Sequence, residues 1–79
     1  MGAAAILTDP VSIGSGTYIG SQTVILAGTV IGRRCVICAN SFVNRDVHDR
    51  TIVVGNPARA IGRVEGEGEE IRFVYSDLG

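Results

Sequence analysis

The chain has 79 residues, a formal net charge of −1, and only 5% aromatic residues against a hydrophobic content of 46%. Such a length allows one small domain, the near-neutral total gives no case for nucleic acid as a partner, and the composition disfavours a core built on large rings. No apolar run approaches the eighteen or so residues of a membrane span, and Met1-Gly2-Ala3-Ala4-Ala5 lacks the basic flank of a secretion signal, so a cytoplasmic location without membrane contact is expected.

From the first residues onward the dominant signal is a period of six. Leu7, Ile13, Ile19, Ile25, Ile31, Ile37 and Val43 recur without a slip, although only 22 of the 79 residues are Ile, Val or Leu. Two positions before each stands a smaller residue: Val11, Thr17, Thr23, Thr29, Cys35 and Ser41, with Val47 next in the series. The residue after the aliphatic is Gly at Gly14, Gly20 and Gly32. Neither a helix nor an uninterrupted strand has this period; a short strand and a corner, repeated, does. Three hexads make a triangular coil of about eighteen residues, and stacked coils pair as parallel strands. Stacking then sets Leu7 over Ile25 and Val43, Ile13 over Ile31, and Ile19 over Ile37. The smaller residues share the inner face, since alternate residues of a strand point the same way. Gly at the corner is explained by a positive φ or by crowding. The expected fold is therefore all-β: a parallel β-helix of about two to three coils.

Between the two inward positions lie Ser12, Tyr18, Val24, Val30, Val36 and Phe42, which face outward. Five of the six are apolar or aromatic. Tyr18 stacks on Val36 along one side and Val24 on Phe42 along another, as expected of a subunit touching two neighbours around a threefold axis. Two to three coils also bury too little apolar surface for a comfortable monomer.

After Val47 the period stops. Thr51-Ile52-Val53-Val54 reads as a closing strand and Gly55-Asn56-Pro57 as a turn. Residues 58–64 are ambiguous, 65–70 read as an exposed acidic turn, and Ile71-Arg72-Phe73-Val74-Tyr75 as a last strand that would form a hairpin with Ile61–Val64. This divides the chain into a repeat region, 1–54, and a short C-terminal extension, 55–79, placed to cover a coil edge.

Charge is unevenly distributed. Asp9 is the only charged side chain before Arg33, residues 33–63 carry six Arg against two Asp, and the remainder is acidic. A band of Arg suits phosphate groups, which guanidinium grips in bidentate fashion, and suits an ordinary solvated surface equally well. Cys35 and Cys38 form an isolated C-x-x-C. Zinc needs four ligands and His48 supplies only a third, so no metal site is expected, and the repeat accounts for both Cys as an inward and a corner residue.

The stretch Val11–Arg63 resembles the C-terminal part of the hexapeptide-repeat acyltransferases, such as the sugar, capsule and serine O-acetyltransferases. The matching residues are Ile13-Gly14, Tyr18-Ile19-Gly20-Ser21, Val24–Gly32, Val36–Ser41, Val43-Asn44-Arg45-Asp46-Val47 and Val54-Gly55-Asn56-Pro57-Ala58-Arg59. The hexads are generic, whereas the Asp-Val close followed by Gly-Asn-Pro-Ala-Arg is more specific. The resemblance implies a left-handed coil, a homotrimer or a hexamer of two stacked trimers, and acetyl-CoA or another acyl-CoA as co-substrate in the groove between neighbouring prisms. By the same resemblance Tyr18 and Ser21 line that groove, Ala39 packs near the pantetheine arm, and Asn44, Arg45 and Arg59 lie near the nucleotide phosphates. The family draws its general base from a His earlier in the chain. No His occurs among Met1–Pro10, and His48 stands where the family usually has Pro, so no catalytic residue is assigned.

Two readings follow: an acyltransferase or its CoA-binding portion, acting on a hydroxyl or amine acceptor, and a catalytically silent oligomerising module. A γ-class carbonic anhydrase relative would need three zinc-binding His. An ice-binding solenoid would need its Thr outside rather than inside.

Overall fold

A computed structural model describes residues 10–76. Leu7 of the repeat lies outside them. Six two-residue strands follow at intervals of six: β1 (Ser12–Ile13), β2 (Tyr18–Ile19), β3 (Val24–Ile25), β4 (Val30–Ile31), β5 (Val36–Ile37) and β6 (Phe42–Val43). They pair in parallel at an offset of eighteen residues, Ser12 with Val30, Tyr18 with Val36 and Val24 with Phe42, so each coil has three sides. The expected parallel β-helix and its stacking order are present.

The sequence explains the geometry at each corner. Gly16, Gln22, Gly28, Arg34 and Asn40, three residues after each aliphatic, adopt positive φ. Gly14, Gly20 and Gly32 are needed for a different reason, the crowding alternative: a Cβ on Gly20 would lie 2.5 Å from the backbone nitrogen of Ala39 in the next coil. The inward Thr residues serve the corners as well. Thr17 Oγ1 donates to the Gly32 carbonyl (2.8 Å) and Thr23 Oγ1 to the Cys38 carbonyl (3.1 Å), so their hydroxyls are satisfied by the coil beneath.

The aliphatic interior is closed in the second coil, where Ile31, Ile37 and Val43 are each at most 1% exposed and pack with Cys35, Val47 and Val53. Burying each such side chain contributes about 1.5–3 kcal/mol. Ile13, in the first coil, remains 44% exposed.

The third coil departs from the repeat. Val47, in the small-residue phase by sequence, instead pairs with Ile31, sixteen residues away, and takes the aliphatic place. A strict hexad would have set Asp49 beneath Ile31, burying a carboxylate among Ile and Val side chains at a cost of several kcal/mol. Advancing the register by two residues preserves the inward face and puts Val47 there instead. The shortened corner, Asn44-Arg45-Asp46, has no positive-φ residue, and the left-handed position reappears at Arg50. Strand β7 (Thr51–Gly55) inherits the shift, pairing Val36 with Ile52 and Ile37 with Val53.

The chain then reverses. Strand β8 (Ala58–Glu65) runs antiparallel to β7, with a bulge at Ile52/Val53, and β9 (Arg72–Tyr75) runs antiparallel to β8. The ambiguous residues 58–64 are thus a long strand, the hairpin with the last strand forms, and one side of the prism grows into a five-stranded sheet, β2-β5-β7-β8-β9. The extension covers the free edge of β7 and leaves β9 as the outer edge. No helix among the described residues is long and apolar enough to cross a membrane.

Candidate functional site

The shortened corner and the β7–β8 hairpin enclose a cleft of about 530 Å3 at the C-terminal end of the prism. Its floor is apolar, from Val43, Val47, Val53 and Ala58, and its rim carries Asn44, Arg45, Asp46, His48, Thr51 and Arg59. Two local events build it. The two-residue advance draws residues 44–48 tight against the coil, and the turn at Asn56-Pro57, a cis peptide, sends Ala58 and Arg59 back across the end of β7. Ala58 packs against the core while Arg59 is exposed, as alternation along β8 requires.

The six residues expected near a cofactor fall into two groups. Asn44, Arg45 and Arg59 converge on this cleft, although fourteen residues separate the two arginines. Tyr18, Ser21 and Ala39 do not line it. Tyr18 is 64% exposed on the outer face of β2. Ser21 and Ala39 sit in the stacked corners after β2 and β5, where Asn40 N–H donates to the Ser21 carbonyl (3.0 Å).

Ion pairing divides the arginines into two groups. Glu67 pairs with Arg34 (3.5 Å) and Arg50 (2.7 Å), and Glu65 pairs with Arg63 and with Arg72 (3.1 Å). The acidic tail therefore neutralises four of the seven arginines. Arg45 and Arg59 have no carboxylate within 4.0 Å among the described residues, nor does Arg33. The carboxylates nearest in sequence are engaged with the backbone: Asp46 Oδ1 accepts from Val30 N–H and Asp49 Oδ1 from Arg33 N–H, each at 2.8 Å. Two guanidiniums with no carboxylate partner among the described residues, above an apolar floor, are chemically suited to an anion that carries an apolar portion.

Sequence reasoning missed three contributors. Asp46 completes the strand ladder, Cys35 donates its thiol to the His48 carbonyl (3.0 Å), and His48 itself shares the cleft rim. The available signal was the charge at position 49, in the phase where every earlier hexad has an aliphatic.

Residues 10–45 match the bacterial transferase hexapeptide family (six repeats). The repeat region carries this family's hexapeptide repeats and resembles the hexapeptide-repeat acyltransferases. A curated relative, "Putative acetyltransferase SAR2635" of Staphylococcus aureus (strain MRSA252), is 36% identical over 58 residues, 73% of this chain and 29% of that protein. A maltose O-acetyltransferase from Clostridium difficile 630 superposes with a TM-score of 0.71 at 41% identity, covering 73% of this chain and 31% of that one. A hexapeptide-repeat acetyltransferase from Vibrio cholerae, VCA0836, solved with acetyl coenzyme A, gives 0.70 at 41% identity, with 73% and 32% covered. The chain thus spans about a third of the length of these relatives. Its fold is their left-handed parallel β-helix, and it resembles the C-terminal part of such acetyltransferases.

Proposed function

We propose that this chain carries the CoA-binding portion of an acyl-CoA-dependent acyltransferase, which moves an acyl group from the CoA thioester to a hydroxyl or amine. The observation that carries the reading is the cleft itself, in which Arg45 and Arg59, brought together from a coil corner and the hairpin, have no carboxylate partner among the described residues while the tail pairs with four other arginines. Two guanidiniums suit the diphosphate of CoA, and the apolar floor suits a less polar part of the same ligand. The acetyl coenzyme A held by the Vibrio cholerae relative supports the same ligand class.

In this reading Tyr18, Ser21 and Ala39 contact the pantetheine arm along the side of the prism, in a groove completed by a neighbouring subunit. The exposed Tyr18 (64%) and Val24 (58%), stacked on Val36 and Phe42 along two adjacent sides, favour a trimer. The extension, 55–79, contributes Arg59 and so completes the nucleotide end of a site begun by the repeats, 1–54. A cytoplasmic location belongs to the same proposal.

Calorimetric titration of acetyl-CoA into the full chain, with oligomeric state measured on the same sample, tests it. Micromolar binding at one ligand per subunit is the expected result. A folded trimer that binds no CoA would leave the scaffold as an assembly module.

A further inference from the structure

His48 is the one histidine of the chain and shares the rim of the cleft with Arg45 and Arg59. We infer that His48 recognises a separate phosphomonoester on the nucleotide, making the site selective for CoA over its 3′-dephospho form. The inference deepens the CoA reading and rests on it.

The backbone around His48 is held on both sides. Val47, 8% exposed, donates its N–H to the Val30 carbonyl (2.9 Å) and accepts from Gly32 N–H (2.8 Å). The carbonyl of His48 accepts the thiol of Cys35, which is 1% exposed in the core (3.0 Å). This bond gives the buried Cys35 a positioning role that packing alone does not require. The backbone that carries the exposed imidazole is therefore held in place, so that ligand binding has only the side chain's own rotamers to order.

The ligand's chemistry supplies the other half. CoA carries a diphosphate and, apart from it, a phosphomonoester that is largely dianionic at neutral pH. Two guanidiniums are matched by the diphosphate, and the third phosphate needs its own donor. On the cleft rim the remaining charged or titratable side chains are Asp46, whose Oδ1 is taken by Val30 N–H, and His48. Of the two, the imidazole alone can donate to a phosphate oxygen, and does so in either protonation state; the neutral donors of the rim are Asn44 and Thr51, whose Oγ1 already donates to the Asp49 carbonyl.

The test is calorimetric titration of CoA and of 3′-dephospho-CoA into the wild-type chain, His48→Gln and His48→Arg. The wild type should prefer CoA by about ten- to a hundredfold, the range of one charge-assisted hydrogen bond. His48→Gln should lose most of that preference while binding dephospho-CoA as the wild type does, a split that general distortion of the cleft would not produce. His48→Arg should restore the preference. Equal wild-type affinity for the two ligands, or a preference that survives in His48→Gln, overturns the inference and leaves the CoA reading standing. Absence of binding by either ligand to the folded wild type overturns both.

Discussion

The carboxylate of Asp46 accepts a hydrogen bond from the backbone N–H of Val30 at 2.8 Å, in a place where each of the three preceding strands uses a carbonyl. Ser12, Tyr18 and Val24 donate to the carbonyls of Thr29, Cys35 and Ser41, and Val30 is next in that series. The shortened third coil offers it a side chain instead. Replacing Asp46 with Ala should destabilise the fold by about 1 kcal/mol in urea denaturation, the usual net worth of such a bond. Asp46→Asn, which keeps an acceptor oxygen, should lose less.

Arg45 and Arg59 make no ion pair among the described residues, so their removal should cost function rather than stability. Arg45→Ala and Arg59→Ala should each weaken CoA binding about tenfold, and the double variant should weaken it further, with melting temperatures close to the wild type. Unchanged affinity in the double variant would show that the phosphates lie elsewhere.

Val24 is 58% exposed and in register with Phe42 on one side of the prism. If that side meets a neighbouring subunit, Val24→Asp buries a carboxylate without a partner, and light scattering should report dissociation of the trimer. A wild-type chain that scatters as a monomer would remove the basis for a groove between subunits.

Glu65 is held below the ordinary glutamate range, chiefly by its hydrogen bond to Arg63 and then by that to Arg72. Because the folded-state value is depressed, the stabilising contribution is fully present above the unfolded value and is lost as pH falls through the folded one. Amide protection factors in β8 and β9, compared with those in β4 and β5, should therefore fall selectively on acidification below the usual glutamate range. Glu65→Gln should abolish the selective part, and an equal pH response in the variant would assign it to other groups.

Much of the fold is legible in the residues. Seven aliphatics in one phase, small residues two places before them and apolar residues between describe a coil that needs no long-range information, because each hexad repeats the same local chemistry. The hairpin of Arg72–Tyr75 with Ile61–Val64 was equally readable from its turn and its alternation. Residues 58–60 were not, since Ala58-Arg59-Ala60 has weak strand preference, and pairing with β7 decided their conformation.

The candidate site divides in the same way. The sequence offered Asn44, Arg45 and Arg59 as candidates through their resemblance to motifs of the hexapeptide-repeat acyltransferases. Tertiary structure decided that they line one cleft, that Glu65 and Glu67 pair with other arginines, and that His48 shares the rim. The physical reason is the third coil. A periodic pattern specifies which face a residue presents, but the choice between Val47 and Asp49 beneath Ile31 depends on burying a methyl-bearing side chain or a carboxylate in an interior that exists only once the coils have stacked.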